Sequence, residues 1–190
     1  SSSSSSSFDY QDSILLKANT LLKEALGPGY KLQDTQAQVI VQLVQDISTL
    51  YIARTGAGKS AAYFLATRIR REAHQRLGPT LVVSPLVALM NDQVRAATKF
   101  GLKAATVNGQ TDSTDRGRIL KSIKRNRLDI LFLSPEMLTS GSFLTEIPQY
   151  DSSFNPSKSN FKWTTSAMIV IDEVHCIGKF FSDWGHDFRQ

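Results

Sequence analysis

Cysteine is nearly absent from this chain: among 190 residues there is one, Cys176. A single thiol excludes an intrachain disulfide and any metal site built from cysteines alone, and it suits a reducing compartment. Histidine is scarce too, with three residues. No second histidine follows His175 one helical turn on and no cysteine pair accompanies it, so zinc-ligand spacing is missing there. No apolar run approaches the roughly 18 residues that cross a bilayer. The first seven residues are all serine, without the basic and apolar segments of a secretion signal. The expectation is a chain with no membrane partner, placed in the cytoplasm of a bacterium or the nucleus of a eukaryote.

What is present is an ordinary globular balance, 41% hydrophobic and 21% charged. That length suffices for one α/β domain with its own core. The net charge of +5 suits a polyanionic partner but singles out none by itself. Residues 1–11 are set aside as low-complexity sequence, a disordered tail or an appended linker. Residues 12–29 are expected to form an N-terminal helix and linker, capped at Asp12 or Ser13 and stopped by Gly27-Pro28-Gly29. A second helix is expected over Thr35–Asp46, with Val39, Ile40, Leu43, Val44 and Ile47 inward.

From there on, strand-length apolar runs alternate with helical patterns. The strands are expected at Leu50–Ala53, Thr80–Ser84, Lys103–Val107, Asp129–Leu133 and Met168–Ile171, the helices at 60–74, 86–100, 114–126 and 135–147. Such alternation implies a parallel sheet with helices on both faces. Ligands of such sheets bind at the carboxyl ends of the strands. Residues 148–166, rich in Ser, Asn, Thr and Pro, read as a surface loop.

Two motifs fall at those strand ends. Ala53-Arg54-Thr55-Gly56-Ala57-Gly58-Lys59-Ser60 leaves a strand and opens a helix. Glycines let the backbone turn its N–H groups toward phosphate oxygens, and the helix start adds partial positive charge. Thr55 to Ser60 would cradle ATP, Lys59 would reach the β- and γ-phosphates, and the Ser60 hydroxyl would hold Mg²⁺. The second motif is Asp172-Glu173-Val174-His175, at the end of an apolar strand. Two adjacent acids there repel unless a cation or proton lies between them. Asp172 would hold Mg²⁺ through water, and Glu173 would orient and deprotonate the attacking water. His175, two residues past Glu173, is placed as a residue coupling hydrolysis to its surroundings.

Three further stretches narrow the family. Val82-Val83-Ser84-Pro85-Leu86-Val87-Ala88-Leu89-Met90-Asn91-Asp92-Gln93-Val94 resembles motif Ia of the RecQ helicases, and Leu131 to Leu138 resembles their motif Ib. Asp172 to Ile177, with the later Ser182-Asp183-Trp184-Gly185-His186-Asp187-Phe188-Arg189, resembles their motif II and aromatic-rich loop. The resemblance covers about residues 32–190. It implies a RecA-like lobe at 30–190, a superfamily 2 DNA helicase moving 3′ to 5′ on single-stranded DNA, and duplex unwinding. It assigns Gln36 to the adenine edge, a role an amide that both donates and accepts can fill. It also implies DNA contacts at Ser84, Pro85, Asn91, Gln93, Ser134, Pro135, Trp184, His186, Phe188 and Arg189. The two Ser-Pro pairs sit at expected helix starts, whose free N–H groups suit a DNA phosphate. Trp184 and Phe188 can stack on unpaired bases.

Departures from that pattern are Arg54 in place of a proline, the inserted Gly178-Lys179-Phe180-Phe181, and the long 148–166 loop. They suggest a divergent branch of that family; a larger repair or defence complex is kept separately among the expected partners. No motif III and no second RecA-like lobe are found; that second lobe is the expected partner that would complete the motor. The competing readings are a DEAD/DEAH-type RNA helicase and a nucleotide-gated DNA-binding subunit. Two arginine-rich runs, at Arg68, Arg70, Arg71 and Arg76 and at Arg116 to Arg127, read as solvated helix faces.

Overall fold

A computed structural model describes residues 3–54, 56, 58–74, 78–139 and 168–172, with side chains given from residue 9 onward and not for 138 and 139. Two compact units divide the chain, one formed by residues 1–75 with 97–102 and the other by 76–96 with 103–190.

The first unit is helical. α1 (Ser3–Leu26) buries Ile14, Ala18, Leu21 and Leu22, one face at helical spacing. It starts upstream of Asp12 and Ser13, so neither caps it; instead Ser13 Oγ donates to the Tyr10 carbonyl at 2.7 Å. α2 (Asp34–Val44) buries Val39 and Ile40. Leu43 and Val44 are half-buried and Ile47 is exposed, so the inward stripe ends sooner than its periodicity suggests. α3 (Lys59–Ala73) is buried along most of its length, with Phe64 packed on Phe100 at a centroid distance of 5.4 Å.

Two arginines of α3 hold this unit together. Arg70, read from sequence as a solvated cation, is buried: it donates to the Leu43 carbonyl at 2.7 Å and pairs with Asp46 just past α2. Arg68 pairs with Glu72 at 3.1 Å and donates to the Phe100 carbonyl at 2.9 Å. Lys17 of α1 closes on the same Glu72 at 2.7 Å. Burial raises the Glu72 pKa, but hydrogen bonds and charge from Lys17 and Arg68 outweigh it, and the carboxyl lies below its ordinary value.

Leu50–Ala53, expected as a strand, is not one. Leu50 is 71% and Ile52 83% exposed, and the segment has no ladder partner among the described residues.

The second unit carries the sheet: β1 (Thr80–Val83), β2 (Ala104–Val107), β3 (Ile130–Leu133) and β4 (Ile169–Ile171), all parallel in the order β2-β3-β1-β4. The two middle strands, β1 and β3, are buried throughout, which accounts for their unbroken apolar sequence. Between the strands come α4 (Val87–Lys99), α5 (Ser113–Lys124) and the short α6 (Pro135–Thr139). On one sheet face Leu81, Val83, Val107, Leu131 and Leu133 pack with Leu120 and Ile123 of α5 and Met137 of α6. On the other, Thr106 Oγ1 reaches Met90 Sδ of α4 at 3.0 Å. The fold is therefore α/β, a parallel sheet with helices on both faces. No helix among the described residues is long and apolar enough to cross a membrane.

Candidate functional site

The glycine turn stands at the head of α3. Gly56 has φ +80 and Gly58 φ +73, left-handed values that a residue with a Cβ resists. Gly58 is the N-cap of α3. α2 begins with a capping box and α5 with the Asp112 side chain on the Asp115 N–H, whereas α3 has no side-chain cap and no acid in its first turn. Its leading N–H groups and Lys59 form an electropositive start, a donor set that fits a phosphate group. Lys59 Nζ donates to the Ala53 carbonyl at 2.8 Å, across the loop. Ser60 follows it in the first turn, half-buried.

Gln36 joins this loop. It is buried, its Oε1 accepts the Gln33 N–H at 3.0 Å, and its Nε2 donates to the Gly58 carbonyl at 3.2 Å. A Cβ added at Gly58 would run into that Nε2. The adenine-reading residue implied by resemblance is thus in contact with the phosphate loop. Thr55 and Ala57 lie outside the described residues.

In the second unit the carboxyl ends of three strands form one continuous edge. The Asp172 N–H donates to the Val83 carbonyl at 3.0 Å, the Ser84 N–H to Leu133 at 3.0 Å, and the Ser134 N–H to Val107 at 3.3 Å. Each residue just past a strand is thereby tied to its neighbour, and strand spacing sets about 4.8 Å between adjacent positions. Asp172, Ser84 and Ser134 stand side by side. Ser134 is fully buried, and its hydroxyl has no hydrogen-bond partner among the described residues. Pro85 and Pro135 are half-exposed beside them, while Asn91 is exposed and Gln93 half-buried on α4.

Asn108, in the corresponding place after β2, escaped the sequence reading. Its Oδ1 accepts the Gln110 N–H at 2.8 Å, and its own N–H donates to Thr111 Oγ1 at 3.0 Å. It lines a shallow polar cleft of about 470 Å³ with Thr106, Asp115 and Arg118. The Asn-Gly after an apolar run was the signal available for it. Glu173, His175, Trp184, His186, Phe188 and Arg189 lie outside the described residues.

Comparison with known proteins agrees with these motifs. The family model described as DEAD/DEAH box helicase matches residues 33–189. The ATP-dependent DNA helicase RecQ of Bacillus subtilis (strain 168) is 31% identical over 83% of this chain and 22% of its own length. The ATP-dependent DNA helicase Q5 of Rattus norvegicus is 30% identical over 91% and 16%, and the helicase Q4 of Homo sapiens 33% identical over 87% and 12%. The chain spans about a quarter or less of the length of the curated relatives it matches. With a phosphate-type loop at the head of α3 and a family match over nearly the whole sequence, the chain belongs to the DEAD/DEAH box helicase family, as a RecA-like ATP-binding lobe related to that of the RecQ DNA helicases.

Proposed function

We propose that this lobe couples ATP hydrolysis to movement on single-stranded DNA, in the 3′-to-5′ direction, within a larger RecQ-like helicase. The observation that carries the nucleotide half is the uncapped start of α3, with left-handed Gly58, Lys59 and Ser60 in sequence and the Gln36 amide against the same turn. On this reading Lys59 would exchange the Ala53 carbonyl for phosphate oxygens, and Ser60 and Asp172 would hold Mg²⁺. Held there, such an ion would supply neutralisation of phosphate charge. Glu173 takes the proton of the attacking water, His175 relays occupancy to its surroundings, and Gln36 meets the adenine edge while touching the loop.

The DNA half rests on the strand-end row. Ser84 and Ser134 would offer side-chain hydroxyls of a kind that binds phosphate without reading sequence, their N–H groups being held by the Leu133 and Val107 carbonyls. The relatives reported above carry DNA helicase names, which favours DNA over RNA. Trp184, His186, Phe188 and Arg189 supply base stacking and a phosphate partner.

The test has two stages. This chain should bind ATP in the presence of Mg²⁺, and Lys59→Ala should abolish that binding. In the complete protein, single-stranded DNA should stimulate hydrolysis, and Glu173→Gln should remove it. Stronger stimulation by RNA would instead favour the RNA helicase reading. The lobe by itself should hydrolyse ATP very slowly, because an arginine finger donated by a second lobe is worth about 10³–10⁵ in rate.

A further inference from the structure

The positive charge of this chain is concentrated in one place. Between Arg116 and Arg127 stand six of the 22 Lys and Arg residues and none of the 17 Asp and Glu. This block carries six positive charges against a whole-chain surplus of +5, so the remaining sequence is slightly acidic. Two of the six are engaged locally. Arg118 pairs with Asp115 at 3.0 Å, and Arg116 is half-buried. The other four, Lys121, Lys124, Arg125 and Arg127, are exposed. No ion pair joins them to a carboxylate among the described residues.

These four sit on a fixed platform. α5 ends at Lys124, and Asn126 turns the chain at φ +51. The Asn126 N–H donates to Ile123 and the Arg127 N–H to Ser122, each at 2.8 Å. Leu128 is then buried ahead of β3. The first acid after the block, Asp129, has its Oδ2 on the Lys103 N–H at 2.7 Å. The cluster therefore lies at the amino ends of β2 and β3. It is a full strand length, about 13 Å, from the edge that carries Ser84, Ser134 and Asp172.

A helix C-terminus favours a cation, but its dipole amounts to only about half a charge. Four cations exceed that need, and they repel one another at i,i+3 (Lys121 and Lys124) and i,i+4 (Lys121 and Arg125). A bound polyanion relieves that repulsion. Among the described residues no large exposed hydrophobic side chain lies beside these cations in sequence, since Leu120, Ile123 and Leu128 are all buried. An acidic peptide would find no apolar anchor here, whereas a sugar-phosphate backbone requires only charge.

We propose that the end of α5 is a second nucleic-acid contact, in which Lys121, Lys124, Arg125 and Arg127 grip the phosphate backbone of duplex DNA away from the strand-end site. The choice of nucleic acid rests on the helicase reading, but the patch can fail without it. The test measures binding of this chain to a short DNA duplex between about 50 and about 200 mM salt. Replacing all four residues by Gln should weaken binding and flatten the dependence of log K on log salt by about 0.9 per lost phosphate contact, so by about 3 to 4 in all. Arg125→Lys with Arg127→Lys should leave that slope in place, and both variants should keep the parent's thermal midpoint and ATP affinity. The Lys59→Ala variant should show the converse, intact slope with ATP binding lost. An unchanged slope in the four-Gln variant overturns the proposal, as does no measurable duplex binding by the parent. A loss confined to polyglutamate binding, with DNA unaffected, likewise overturns it in favour of an acidic protein partner. Failure of ATP binding with the patch result intact would sink the motor reading alone.

Discussion

Gly58→Ala tests whether the phosphate loop and α2 share one joint. The substitution places a Cβ on a residue at φ +73, which costs an L-residue about 1–2 kcal/mol. That Cβ would also meet the Nε2 of Gln36. The Gln36 side chain can swing aside, so the added penalty is the hydrogen bond to the Gly58 carbonyl, about 1 kcal/mol. Together these give about 2–3 kcal/mol. For a chain of this size, that lowers the melting midpoint by roughly 4–12 °C. Urea denaturation should give the same loss with little change in slope. The decisive measurement is the cycle with Gln36→Ala. Both single variants remove the same Gln36–Gly58 bond, so their effects should sum to about 1 kcal/mol more than the double variant loses. Strict additivity, within about 0.3 kcal/mol, would refute the claim that these residues are coupled.

Other outcomes follow from the same geometry. Arg70→Ala should cost about 2 kcal/mol, because the part-buried Leu43 carbonyl loses a charged donor. Asp46→Asn should cost under about 1 kcal/mol, since Asn accepts the left-handed backbone and the Asp46 side chain is 76% exposed; urea midpoints compare the two. Glu72 lies below its ordinary value of 4.5 in the folded chain, so its contribution is fully present above that pH. That contribution is lost as pH falls through the folded pKa. Glu72→Gln should therefore destabilise the chain at pH 7, by an amount that shrinks as the carboxyl becomes protonated in the folded chain at acid pH, and the 42% exposure of the side chain keeps the effect small. Ser134→Ala removes a buried hydroxyl that has no partner among the described residues, so stability should hold or rise slightly. If the hydroxyl serves a DNA phosphate, affinity for single-stranded DNA should nevertheless fall, as an anisotropy titration would show.

Much of the second unit was legible in the sequence. β1 to β4 and α4 and α5 begin and end within one or two residues of their apolar patterns, because buried parallel strands need unbroken Val, Ile, Leu and Phe. The glycine turn ahead of α3 was legible for a similar reason: Gly56 and Gly58 answer a left-handed backbone demand visible in local sequence. What escaped depends on partners distant in sequence. Leu50–Ala53 has the composition of a strand, but a strand also needs a neighbour, and composition cannot name one. Arg70 looked like part of a solvated run because its partners, the Leu43 carbonyl of α2 and Asp46 just past it, lie more than 20 residues away in sequence. The start of α1 was misplaced because a serine run carries no helical period. Gln36 was singled out by family pattern alone, and its seat on Gly58 could not be read from spacing.

The tethered strand ends have a mechanical consequence. Val83 holds Asp172 through its carbonyl, while the next residue, Ser84, hangs from Leu133 through its amide. A tug on the loop after β1 large enough to stretch a hydrogen bond must either snap one of these links or carry the Asp172 backbone with it. β1 is thus a stiff link between the residues that follow its own end and those that follow β4, and displacement of one set is felt by the other without a dedicated hinge.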